Sequence, residues 1–143
     1  MFKKIAHVGI AVRDLEKAMH LFSDVFGLDV LNEETVDEYE VRLADLRVGD
    51  VEIELLEGLS TTSAITKFIE KRGEGIQHVC FEVDNIQSAL RELEEKGVEL
   101  IDREPRVVRH GRKIAFLRPH DTHGVLIELV EREHEHPDES DPG

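Results

Sequence analysis

Two copies of one pattern make up this chain, and that repeat restricts its possible folds more than any single residue does. IAHVGIAVRDLEKA, from Ile5, returns as IQHVCFEVDNIQSA from Ile76, and VEIELLE, from Val51, returns as VLIELVE from Val125. His7 then stands over His78 and Glu54 over Glu128, at offsets of 71 and 74 residues. Two copies imply pseudo-twofold symmetry, which can bring four side chains far apart in sequence to one centre. Each half, of about 70 residues, would be marginal alone. The expectation is therefore a single domain over residues 1–131, with modules at about 4–58 and 75–131 and a short helical linker over 63–72. Residues 132–143 read as a polar, acidic, proline-containing tail with nothing to bury.

Each half reads as strand, helix, then three strands. IAHVGIAV alternates and is rich in branched residues. Asp14 can cap a helix on which Leu15, Ala18, Met19, Phe22 and Phe26 recur at helical spacing, with Gly27 as its stop. Strands follow around LDVLNEE, EYEVRLADLRV and VEIELLE. The second half gives IQHVCFEV, a helix from about Ile86 to Lys96, then VELI, KIAFLRP and VLIELVE. The expected class is α+β: two pseudo-symmetric βαβββ modules forming an open, cupped mixed sheet.

Strand parity adds chemistry, because residues i and i+2 share a face. Val51, Ile53 and Leu55, like Val125, Ile127 and Leu129, form helix-packing faces, which turns Glu54 and Glu128 the other way. Val8, Ile10 and Val12, like Val79, Phe81 and Val83, do the same for His7 and His78. A curved sheet can thus gather all four around one cavity. Buried carboxylates at equivalent positions are costly unless paired, and a divalent ion removes that cost. Two imidazoles and two carboxylates suit Zn, Co, Ni, Mn or Fe better than Ca or Mg. The expected cofactor is one divalent ion per chain, Co or Zn first, held by His7, Glu54, His78 and Glu128.

Charge sets limits on partners. The net charge of −14 argues against nucleic acid and anionic membranes. No apolar run is long enough to span a bilayer, and no signal-peptide pattern follows the start. The lone Cys80 excludes an internal disulfide and suits a reducing cytoplasm, with the residue itself in the core or a cavity wall. Between Arg103 and Arg118 the balance reverses: Arg103, Arg106, Arg109, Arg112, Lys113 and Arg118 face only Glu104. That stretch is either a solvated loop or an anchor for an anionic small molecule. His120 and His123 could line a cavity entrance, while His134 and His136 lie in the tail without a scaffold.

These residues carry a resemblance. The repeat and its four ligands look like the vicinal oxygen chelate superfamily, which includes glyoxalase I, extradiol dioxygenases and bleomycin-resistance proteins. HVGIAVRDLEKA, VGDVEIELLE, ITKFIEKRGEGIQHVCFEVDNI, REPR and GRKIAFLRPHDTHGVLIELVE resemble, more narrowly, the methylmalonyl-CoA epimerases over most of residues 4–131. The resemblance implies a glyoxalase-like fold, usually a homodimer, with an acyl-CoA as substrate. It implies inversion of the α-carbon of methylmalonyl-CoA by proton abstraction and return through a metal-stabilised enolate, with Glu128 as both ligand and base. Similar epimerases carry a glutamate as second acid/base where this chain has Leu43; Asp45, two residues on and on the same face, is the candidate replacement. Gln77 stands where many relatives have His, and His120 where many have Lys. A glyoxalase-type isomerase of a thiol hemithioacetal needs the same ligands and remains an alternative, as does a non-catalytic drug- or metabolite-binding resistance protein. A dioxygenase fits less well, since Glu54 would fill the position it needs open.

Overall fold

A computed structural model describes residues 1–108 and 111–132. Eight strands form one mixed sheet. Strand β1 (Phe2–Ala11) is followed by helix α1 (Leu15–Met19), then β2 (Asp29–Val36), β3 (Val41–Val48) and β4 (Val51–Gly58). Helix α2 (Ala64–Arg72) links to β5 (Gly75–Val83), helix α3 (Ile86–Glu95), and β6 (Arg106–Val107), β7 (Lys113–Leu117) and β8 (Leu126–Glu131). The strand order is β2-β3-β4-β1-β5-β8-β7-β6. Its symmetry is direct: β1 pairs parallel with β4, β5 pairs parallel with β8, and β1 and β5 join the halves antiparallel at the centre. This is the open, curled sheet of paired βαβββ units that the repeat predicts.

Alternation separates the two faces. On the outer face α1 packs through Leu15 on Val12, Ala44, Leu46 and Leu55, and α3 packs through Ile86, Ala89 and Leu90 on Ala115, Leu117 and Leu129. Burying each such leucine contributes about 1.5–3 kcal/mol. Both helices start on a side-chain cap: Asp14 accepts from the Lys17 N–H, and Asn85 from the Ser88 N–H. Helix α2 lies elsewhere, with Ile65 against Ala11, Val41, Leu43 and Leu56. The Ser63 side chain, accepting from the Ile65 N–H, caps its start.

Two local expectations fail for identifiable reasons. The first helix does not run unbroken to Gly27. After Met19 it widens into a π-helical turn over His20–Val25, closed by the Phe26 N–H donating to the Leu21 carbonyl. That extra residue per turn rotates Phe26 off the packing stripe, leaving it 58% exposed and edge-on to Phe22. VELI is not a strand. It touches β7 through a single bridge at Leu100, and the β6 pairing forms instead at Arg106–Val107. The Asp102 carboxylate takes the Phe116 N–H that a strand carbonyl would otherwise accept, and Pro105 offers no N–H to extend a ladder. The acidic tail beyond Arg132, with His134 and His136, lies outside the described residues, as does Arg109. Within the described residues no helix is long and apolar enough to cross a membrane.

Candidate metal centre and active site

The inner face of the sheet encloses a cavity of about 670 Å³. His7 on β1, Glu54 on β4, His78 on β5 and Glu128 on β8 all reach into it from the four central strands. Their tips converge. His7 Nε2 and His78 Nε2 lie 2.9 Å apart. Glu128 Oε1 is 3.2 Å from each of them, and Glu54 Oε1 is 3.7 Å from His7 Nε2 and 3.5 Å from His78 Nε2.

The backbone makes room for this convergence. Gly9 stands opposite His78 in the β1–β5 ladder, and a Cβ built there would lie 2.2 Å from the His78 ring. Only a residue without a side chain lets that imidazole lie across β1. The equivalent position in the second half is Cys80, paired opposite His7 and fully buried. Burial pushes its thiol up to about 11, and its Sγ lies within 4.8 Å of ligand atoms of His7 and Glu128. Gln77 Oε1 accepts a 2.5 Å hydrogen bond from His78 Nδ1, which leaves Nε2 as the lone-pair end facing the cluster.

The electrostatics ask for a cation. Two imidazole nitrogens 2.9 Å apart cannot both present lone pairs without something positive between them. Burial alone would raise the Glu128 carboxyl, yet the two imidazoles beside it hold it at about 2. Burial would likewise lower His7, but its contacts with Cys80, Glu128 and Glu54 hold it well above its usual value. Two nitrogens and two carboxylates that attract positive charge this strongly form a donor set suited to a divalent ion.

Asp45 belongs to the same cavity. It pairs with Glu54 across the β3–β4 ladder, and Asn32 Nδ2 donates to its Oδ2 at 3.4 Å. Burial, reinforced by the Glu54 charge, raises its carboxyl to about 7. Leu43, one alternation further, lines the same wall. The second-half counterpart of Asp45 is Phe116, opposite Glu128 on β7 and edge-on to His78 at 6.5 Å.

The basic stretch divides. Arg103 pairs with Glu94, Lys113 with Glu131 and Arg118 with Glu99, all away from the cavity. Arg106 and Arg112 line it. His120 lies between Glu99 and Asp121, at 3.4 and 3.3 Å, and neither it nor His123 lines the cavity. Sequence reasoning missed Gly9, although a glycine two residues after a strand histidine signals a close approach. It also missed a second hollow of about 780 Å³ between α2 and β5, lined by Lys67, Phe68, Lys71, Arg72, Ile76 and Val125. Gln77 and Leu126 border both spaces.

Comparison with known proteins agrees with this fold. Residues 6–116 match the Glyoxalase/Bleomycin resistance protein/Dioxygenase superfamily. The chain is 41% identical to the uncharacterized protein YqjC of Bacillus subtilis, over 90% of this chain and 91% of that protein. It is 39% identical to the mitochondrial methylmalonyl-CoA epimerase of Mus musculus, over 88% of this chain and 71% of that one. Among solved structures, a glutamate-to-leucine variant of the Streptomyces coelicolor methylmalonyl-CoA epimerase, in complex with 2-nitronate-propionyl-CoA, superposes with a TM-score of 0.88. That match has 35% identity and covers 96% of this chain and all of that one. With its repeat, its curled sheet and its four converging side chains, the chain belongs to the glyoxalase/bleomycin resistance protein/dioxygenase superfamily and, within it, to the methylmalonyl-CoA epimerase family.

Proposed function

We propose that this protein is a metal-dependent epimerase that inverts the α-carbon of methylmalonyl-CoA. One observation supports it above the others: the convergence of His7, Glu54, His78 and Glu128 beside an acid, Asp45, that faces Glu54 across the β3–β4 ladder in the same cavity. The four would hold one divalent ion per chain, Co or Zn, with Ni and Mn suited to the same donors. Such an ion supplies Lewis-acid polarisation of the thioester carbonyl, which lowers the cost of removing the proton between thioester and carboxylate. Asp45, whose carboxyl burial raises, would remove or return the proton on one face of the α-carbon, and Glu128 would do so on the other. Glu128, the other member of the pair, acts from the opposite module. Leu43, Leu56 and Phe116 line the cavity and exclude water from the carbanionic centre.

The CoA part has a place to go. Past Gln77 and Leu126 the cavity adjoins the hollow bordered by Lys67, Lys71 and Arg72, cations suited to CoA phosphates. The relatives from Mus musculus and Streptomyces coelicolor, named for methylmalonyl-CoA, support this substrate class. The working unit is residues 1–131 as one domain of two modules, acting as a cytoplasmic homodimer. Phe2 and Ile5, each at least 40% exposed on β1 where the two halves join, favour pairing with a second copy.

Exchange of the α-proton of methylmalonyl-CoA in deuterated water, with metal-loaded and metal-stripped protein, tests the proposal. Exchange that depends on the metal is expected. No exchange at full metal loading would remove this reading. Product from methylglyoxal plus a thiol would then put a glyoxalase-type isomerase in its place.

A further inference from the structure

We propose that Arg112 selects substrates bearing a free carboxylate beside the thioester, by donating its Nε–H and an adjacent Nη–H to that carboxylate; this rests on the epimerase reading. Three arginines line the cavity, and two are engaged. Arg106 donates to Asp102 at 2.9 Å and lies over the Phe116 ring. Arg132 is 3.4 Å from Glu82 and 3.8 Å from Glu52. Arg112 Nε differs: among the described residues it is the one buried side-chain nitrogen or oxygen with no hydrogen-bond partner. A buried, unmatched donor on a permanent cation is costly, and such groups are rare without a reason.

Its place in the fold suits the role. Arg112 directly precedes β7, so alternation puts it on the face of Ile114 and Phe116, and Phe116 stands opposite Glu128. Four residues of strand, about 13 Å, separate Arg112 from Phe116. That is a gap which a long arginine side chain and a diacid thioester together can span. Six acids, Glu34, Glu38, Glu40, Asp45, Glu54 and Glu128, also line the cavity. The free carboxylate of the acyl group adds a negative charge beside these acids, and Arg112 is the cavity arginine whose Nε has no partner among the described residues. The planar edge formed by Nε and one Nη matches the two oxygens of a carboxylate, whereas the lysines of α2 suit phosphates as point charges.

The test is equilibrium binding by calorimetry to zinc-loaded wild type, Arg112→Met and Arg112→Lys, with malonyl-CoA, acetyl-CoA and malonyl-pantetheine as probes. Arg112→Met should lower the preference for malonyl-CoA over acetyl-CoA by roughly 10- to 100-fold, the contribution of a charge-assisted hydrogen bond. Acetyl-CoA affinity and zinc content should stay as in wild type, and Arg112→Lys should recover the preference only in part. An unchanged preference overturns the proposal. So does an equal loss for malonyl-CoA and acetyl-CoA, or a loss confined to CoA over pantetheine, which would assign Arg112 to a phosphate. Because no turnover is required, the two readings fail separately. Carboxylate selection by Arg112 without α-proton exchange would refute the epimerase alone; exchange with the preference intact in Arg112→Met would refute only the role of Arg112.

Discussion

The two halves place the same ligands in different surroundings. Glu54 faces Asp45 across its ladder, and Glu128 faces Phe116 across the equivalent one. His78 lies over Gly9, and His7 beside Cys80. The inner strands, β1, β4, β5 and β8, keep the symmetry and supply the four converging groups. The outer strands break it, giving the first half a titratable acid and the second an apolar wall. Glu54 is accordingly the more open of the two carboxylates, its side chain 18% exposed against 10% for Glu128. Duplication thus builds the cluster, and divergence at its neighbours gives each half different surroundings.

The largest effect should come from the symmetric set. His78→Ala or Glu128→Ala should abolish both metal binding and turnover, measured as bound metal per chain and α-proton exchange. Stoichiometric metal retained in both variants would refute the site. Asp45→Asn attacks the asymmetric part. It should keep the metal and slow turnover by roughly 10² to 10⁴, as expected on losing a general acid/base. Unchanged kinetics would dismiss Asp45. Gly9→Ala probes the close approach behind His78. With a Cβ 2.2 Å from the ring, metal affinity should fall roughly 10- to 100-fold, comparable to losing a partner that orients a ligand. Affinity equal to wild type would mean that His78 has another route to the centre.

A stability measurement sharpens the same contrast. The Asp45 carboxyl ionises near 7 in the fold but near 3.8 ordinarily, so the folded protein binds that proton more tightly. Stability from this group is present below pH 3.8 and is lost as pH rises through 7. In metal-stripped protein, Asp45→Asn should therefore raise the melting temperature most at pH 8, with the gain shrinking towards pH 4. A gain independent of pH would contradict the assigned environment. Glu54→Gln should have the smallest effect. It should retain metal, change the rate by less than about tenfold, and lower the Asp45 ionisation, because the Glu54 charge helps to raise it.

Much of this was legible from alternation. Period-two patterns in IAHVGIAV and VLIELVE fix which residues face the helices, and the offsets between copies fix which ligands correspond. Asp45 was singled out by the family resemblance at Leu43, and parity only puts it on the same face. What escaped reading depends on cross-strand neighbours, which are set by register and not by local pattern. Phe116 beside Glu128, Gly9 beneath His78 and the buried Nε of Arg112 are of this kind. The π-helical turn escaped for another reason: an inserted residue leaves hydrophobic spacing looking helical while turning Phe26 to solvent.

X-ray absorption on the cobalt-loaded protein probes the cluster itself. One ion per chain is expected, bound by two imidazole nitrogens with oxygen donors completing its shell, and losing one nitrogen in His7→Ala. Fewer than two imidazoles on the ion in wild type, or a spectrum that His7→Ala leaves unchanged, would contradict a centre shared between the two halves.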